Sequence, residues 1–422
     1  MIRRPLPAGL WRHGDFLRLW LAQTVSVFGT QITLVALPLA AVLALDASAA
    51  QVGILGAAER APFLLFGLFA GVWVDRLRRR PIMIWADIGR ALVLGSIPVA
   101  AVLGLLCIEQ LYLVGFLAGV LTVCFDVAYQ SYLPALVERE QLVEGNSKLE
   151  VSNSIASIAG PGIAGVLVQI LTAPIAILAD SLSYLGSALL LGLIRKPEPA
   201  PAPRGEQRIW GEIGEGLGIV LRSPLLRAIA GCTGTSNLFS TGLFTVLVLY
   251  ATRELGIEPA GYGLILAAIG PGALLGALLA ARSARRFGIG PTISWSLLLS
   301  GVGLPLIPLA SGPPTITVPL LAFVMFLLGL GGPIYNVNQV SLRQAITPAR
   351  LLGRMNATMR FLVWGTMPVG SLLGGFLAEA IGLRQTMSVM VMGMLLAPLW
   401  VLLSPVRVLR EQPRATAELG GT

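Results

Sequence analysis

Charge is scarce in this 422-residue chain: Asp, Glu, Lys and Arg together make 12% of it, about half the share of an ordinary soluble domain. With 55% of residues hydrophobic, a water-soluble fold has no way to hide its apolar surface. The chain has one histidine, His13, and three cysteines, Cys107, Cys124 and Cys232, each alone in an apolar stretch. That scatter excludes a disulfide framework and a Cys/His metal site. The sequence also lacks a phosphate-binding GxxxxGK[ST] loop, a nucleophile elbow and His/Asp/Glu metal spacing. No metal, cofactor or direct use of ATP is therefore expected, and an enzyme is disfavoured. The net charge of +9 would suit nucleic acid if it clustered on one face. It lies instead between apolar segments, so no nucleic-acid partner is expected.

What the sequence has is long apolar runs. They fall at about 16–44, 50–74, 82–107, 111–137, 149–171, 174–194, 228–251, 260–281, 291–311, 315–342, 356–381 and 384–404, each near the roughly 20 residues that cross a bilayer as a helix. Twelve membrane helices, an all-α polytopic protein, is the fold class predicted. The first run is too long for a cleaved signal sequence, so it reads as a retained helix.

Basic residues alternate from one connection to the next. Arg3, Arg4, Arg12 and Arg18, then Arg76 and Arg78 to Arg80, then later clusters up to Arg407, Arg410 and Arg414 occupy every second segment. The intervening connections hold only Arg253 and Arg384, while Arg60 and Arg90 fall within runs. Basic loops stay on the cytoplasmic side during insertion. The expected placement is a bacterial cytoplasmic (inner) membrane with both termini inside.

The longest hydrophilic stretch opens with Pro197, Pro199, Pro201 and Pro203, a composition that resists helix and sheet. It divides the chain into residues 1–194, a first six-helix bundle; 195–227, a linker; 228–404, a second bundle; and 405–422, a tail. Within the linker Ile209, Ile213, Leu217 and Val220 recur at helical spacing, which suits either a helix on the membrane surface or an ordinary connector. The halves repeat at a separation of 210: Phe116 meets Phe326, Gly119 Gly329, Ser131 Ser341, Asn146 Asn356, Gly160 Gly370 and Gly165 Gly375. A parallel six-helix repeat implies two pseudo-symmetric bundles with a site between them near the midplane.

The loop after the second run reads Gly71-Val-Trp-Val-Asp75-Arg76-Leu77-Arg78-Arg79-Arg80, which resembles the major facilitator signature Gly-x-x-x-Asp-Arg-x-Gly-Arg-Arg. Arg78 stands where the family has glycine, and topology alone accounts for it. The resemblance implies that Asp75 bonds across the halves to the start of helix eleven as a gate, with Arg76, Arg79 and Arg80 as partners. Asp87 and Arg90, one helical turn apart, are assigned to the same network or to structure. Helix five carries Gly160-Pro161-Gly162-Ile-Ala-Gly165, similar to the motif of antiporters in the family; small-residue packing between helices is the alternative. Further phrases, Leu17-Arg18-Leu19-Trp20 with Gln23, Asp180-Ser-Leu-Ser-Tyr184 and Leu352-Gly-Arg354-Met-Asn356-Ala357, resemble the macrolide-exporter and enterobactin-exporter branch.

Ionisable groups at membrane depth are costly and so are functional candidates: Glu59, Arg60, Asp126, Asp180 and Glu379. Asp126, midway along helix four, is the first choice for a proton or cation site, and Glu59 the second; a buried structural ion pair is the rival for Asp126. Adjacent Glu59 and Arg60 are expected to diverge and pair across the bundle, and Asp180 to be structural. The neutral polar residues predicted to line the cavity are Gln23 and Gln31 of helix one, Thr235 and Asn237 of helix seven, and Tyr335, Asn336, Asn338 and Gln339 of helix ten. The resemblance implies export of small, largely apolar molecules, drug-, macrolide- or siderophore-like, coupled to protons and carried out by a monomer in the lipid bilayer. Import of a nutrient or lipid-like molecule, and a receptor or membrane enzyme, are the alternatives.

Overall fold

The computed structural model describes residues 10–74, 77–198, 209–348 and 351–410, the side chains of 68–74, 139 and 209–213 aside. Helices one to six are Gly14–Ala44, Ala49–Val74, Arg79–Val102, Ile108–Leu136, Leu142–Leu171 and Ala173–Gly192. Helices seven to twelve are Pro224–Glu254, Pro259–Phe287, Ile289–Leu309, Pro314–Ile346, Leu352–Ile381 and Leu383–Leu402. Eleven of the twelve are long and apolar enough to cross a membrane when only described residues are counted. Ala49–Val74, at 26 residues, completes the set.

Helix seven starts earlier than its apolar run. Ser223 accepts a hydrogen bond from the Leu226 N–H at 3.4 Å and Pro224 occupies the first turn, a cap that extends the helix beyond its hydrophobic part. Helices eight and eleven each break once, after Ala267 and after Trp364. Both breaks fall four residues before a proline, Pro271 and Pro368, whose rings remove the backbone bond to that position.

The repeat of 210 reappears in the backbone. Helix one ends in a π-turn at Ala40–Ala44 and helix seven in one at Tyr250–Glu254. Asp46 at φ 48° answers Gly256 at φ 61°, and Thr172 at φ 84° answers Gly382 at φ 89°. The two bundles share their irregularities as well as their helices.

We call the face where helix one begins and helix twelve ends the terminal face, and the opposite one the far face. At the far face the bundles are joined. Asp46 pairs with Arg253 at 2.6 Å, the Ala50 N–H donates to Glu379 at 3.2 Å, and Gln169 donates to Glu258 at 2.8 Å. Small residues make the seam: a Cβ on Gly53 of helix two would stand 2.8 Å from the Cα of Gly375 on helix eleven, so only glycine permits this approach. Between the seam and the terminal face the halves part.

A linker helix, Ile209–Arg222, packs against the start of helix eleven. Gly216 seats under Thr358, and Glu215 forms an ion pair with Arg354.

Candidate functional site

The space between the halves on the terminal side includes a cavity of 830 Å³. Gln23 and Val27 of helix one, Tyr129 of helix four, residues from Asn146 to Ile158 of helix five and Leu274 of helix eight line it. Helix five contributes a polar stripe, Asn146, Glu150 and Asn153, at i, i+4 and i+7, the spacing that puts side chains on one helix face. Glu150 is exposed there. Sequence reasoning missed it because polar residues were sought on helices one, four, seven and ten; the stripe itself was the available signal.

Asp126 lies one turn before Tyr129 on helix four and is half-buried. Among the described residues it makes no ion pair, and the cations whose fields reach its carboxylate are Arg90 in its own bundle and Arg360 in the other. Arg360 belongs to helix eleven. The structure places it two turns along that helix, exposed, with its guanidinium 4.6 Å from the Trp364 ring centre.

Arg90 is 3% exposed and Asp87 fully buried; the two form an ion pair one turn apart on helix three. Arg90 also lies over the rings of Phe125, at 4.4 Å, and Tyr184, at 4.1 Å. Burying a guanidinium costs several kcal/mol. The paired carboxylate and two ring faces, each contributing up to about 2 kcal/mol when desolvated, offset that cost. This pair therefore sits inside the first bundle, away from any gate at its surface. Asp180 is nearby and fully buried, accepting from Thr33 and, at 3.1 Å, from Ser183; it ties helix six to helix one.

Several expected lining residues turn elsewhere. Tyr335, Asn338 and Gln339 are buried in the second bundle: the Tyr335 hydroxyl bonds Thr233 at 2.6 Å, Asn338 donates to the Ile334 carbonyl at 2.8 Å, and Gln339 donates to Asn336 at 2.9 Å. Of that group only Asn336 is exposed. Asn338 also reaches the Ala280 carbonyl of helix eight at 3.4 Å, while Tyr335 turns to helix seven. Thr235 accepts from the Trp400 indole at 3.2 Å, a contact with helix twelve, and Asn237 donates to the Val363 carbonyl of helix eleven at 3.1 Å. Gln31 packs where a Cβ on Gly160 would fall, joining helix one to helix five. Gln23 stays on the cavity wall.

Glu59 and Arg60 do not diverge. Arg60 folds back to the Gly56 carbonyl of its own helix, at 3.0 Å, which brings it within 3.6 Å of Glu59. Glu59 itself lies against Gly115 of helix four.

Of the gate residues, Asp75 and Arg76 lie outside the described residues, and Gly71 is in the last turn of helix two. Glu198 caps helix three, accepting from the Arg79 N–H at 2.8 Å and the Arg80 N–H at 3.1 Å. Arg80 donates to the Leu191 carbonyl at 2.9 Å and to that of Gly192, satisfying the exposed end of helix six. Arg80 is thus bound within its own half, and the Arg79 side chain pairs with Glu198 at the start of the linker, at 3.5 Å. On helix five, Gly165 faces Gly263 of helix eight across the halves, with Pro161 beside them. Among the described residues no group of three His, Cys, Asp or Glu side chains gathers as a metal site.

The pattern of the family described as transmembrane secretion effector matches residues 8–418. The multidrug efflux pump Tap of Mycolicibacterium fortuitum is 31% identical over 399 residues, covering 91% of this chain and 94% of the relative. Macrolide efflux protein A of Streptococcus pyogenes is 24% identical over 380 residues, covering 88% and 91%. Among solved structures, the nucleoside transporter NupG superposes with a TM-score of 0.76 at 12% identity, covering 92% of this chain and 98% of that one. A bacterial homologue of the iron transporter ferroportin in its inward-facing state gives 0.73 at 18% identity, covering 94% and 99%. Its outward-facing state gives 0.60, covering 92% and 98%.

Proposed function

We propose, because the chain belongs to the transmembrane secretion effector family of the major facilitator superfamily, that it is a secondary transporter exporting small, largely apolar molecules by alternating access, coupled to proton influx. The observation that carries this reading is the cavity between the halves, entered from the terminal face and sealed at the far face by the glycine seam and the Asp46–Arg253 pair. In this reading the terminal face is cytoplasmic, as the basic loops favour, and the structure is the inward-facing state. Cargo enters from the cytoplasm or the inner leaflet, contacts apolar walls and the polar stripe of helix five, and leaves once the terminal side closes and the far side opens.

Asp126 serves as the proton or cation site. It lies at membrane depth beside the cavity and lacks a bound counter-ion among the described residues, so it is open to a proton or a cationic group of the cargo. The Asp75 loop acts as the cytoplasmic gate, and one copy of the chain suffices. Efflux relatives of 31% and 24% identity support drug-like cargo.

Everted membrane vesicles test the direction. Under an imposed proton gradient, acidic inside, they should accumulate a fluorescent dye or a macrolide, and a protonophore should release it. Uptake in right-side-out vesicles and none in everted ones would overturn export.

A further inference from the structure

The separation of 210 that relates the halves pairs one more couple of residues, and it pairs them with opposite charge. Glu150 on helix five stands where Arg360 stands on helix eleven. Repeat-equivalent residues of two bundles packed around a common axis approach that axis from opposite sides, so an acid on one and a base on the other make complementary walls.

Both lie where one half is turned to the other on the terminal side. Glu150 is exposed on the cavity wall with Tyr129, whose hydroxyl feels the charges of both Glu150 and Asp126. Arg360 faces the other half: with Trp364, Phe361 and Ala357 it lines a groove of 190 Å³ against Phe63, Leu64 and Gly67 of helix two. Its contact among the described residues is the Trp364 ring, a hold worth about 0.5–1 kcal/mol at an exposed site. That is weak enough to be exchanged for a carboxylate.

At the far face the halves are held by opposite charges, Asp46 with Arg253. A transporter that alternates needs a corresponding set on the terminal side that forms when the far side opens. We propose that Arg360 is that set's cation: as the halves close on the terminal side it leaves the Trp364 ring and pairs with Glu150 and Asp126. The assignment rests on the alternating-access reading and adds to it a coupling residue, since a proton on Asp126 competes with Arg360 for the same carboxylate. Protonation of Asp126 then holds the terminal side open until the proton leaves.

The test measures distance between spin labels on purified protein in lipid nanodiscs, without cargo. Labels are placed through Val143→Cys and Gly353→Cys on a background free of the native cysteines. These positions are repeat equivalents at the starts of helices five and eleven; Val143 is exposed, and nothing lies within 4 Å of a Cβ on Gly353. Unmodified charges should give two populations, a longer distance from the open terminal side and a shorter one from the closed terminal side. Arg360→Gln, and Glu150→Gln combined with Asp126→Asn, should each deplete the short distance by roughly fivefold, as loss of a partly screened ion pair shifts a two-state equilibrium. Arg360→Lys should retain it, and the exchange Glu150→Arg with Arg360→Glu should restore it. Equal distributions in all variants, or an exchange no better than Arg360→Gln, would overturn the assignment. Because no cargo is present, failure here leaves the export assays standing, and failure of export leaves this measurement informative.

Discussion

Gly165 of helix five and Gly263 of helix eight meet backbone to backbone: a Cβ on either would stand 2.9 Å from the Cα of the other. This contact belongs to the joined side of the molecule, so in the proposed alternating-access cycle it must part when the far face opens. A side chain here is excluded in the inward-facing state and tolerated in the outward-facing one. Gly263→Val should therefore bias the protein outward, at a cost to far-face closure of about 1–3 kcal/mol, the usual penalty of overpacking. Efflux per molecule in the membrane should fall about tenfold, with thermal stability in detergent little changed; unchanged efflux would remove the seam from the cycle.

The buried pair on helix three makes a contrasting prediction. Asp87→Ala leaves the Arg90 guanidinium buried among Phe125 and Tyr184 without its carboxylate, which should destabilise by roughly 3–5 kcal/mol. Replacing both, Asp87→Leu with Arg90→Met, should recover most of that loss, since a well-packed apolar pair can match a buried ion pair. Thermal unfolding in detergent reads both. An Asp87→Ala protein as stable as the wild type would mean that the pair bears no structural load.

Thr172, at φ 84° and ψ 155°, occupies a backbone region that is essentially glycine's alone and costs a side chain about 1–3 kcal/mol. Its repeat partner is Gly382, at φ 89° and ψ 163°. Thr172→Gly should raise the unfolding temperature, because relief of strain exceeds the entropy cost of about 0.5–1 kcal/mol that glycine adds. Gly382→Thr should lower it. A Thr172→Gly protein that melts earlier would contradict the strain.

The twelve helices and the two halves were legible in the sequence because bilayer crossing demands long apolar runs and the repeat conserves a register of 210, later seen again in the π-turns and left-handed residues. The orientation of each helix about its own axis was not. Asn338 and Gln339 read as cavity residues because polar side chains in an apolar run suggest water, yet both turn into the bundle and bond within helix ten. Helix five was the reverse: Asn146, Glu150 and Asn153 lay at helical spacing in plain view, and only the packing of helix one beside them reveals that their face is the cavity wall. The Glu59–Arg60 contact depends on a side chain folding back along its own helix, which residue spacing does not encode.

Asp126 carries the central claim, that a carboxylate beside the cavity couples export to the proton gradient. The most direct measurement is accumulation of a panel of dyes and macrolides in cells expressing the wild type or Asp126→Asn, with and without a protonophore. The account predicts lower accumulation with the wild type, reversed both by the protonophore and by Asp126→Asn, at equal amounts of protein in the membrane. Wild-type export that persists undiminished in Asp126→Asn and in the presence of the protonophore would contradict it.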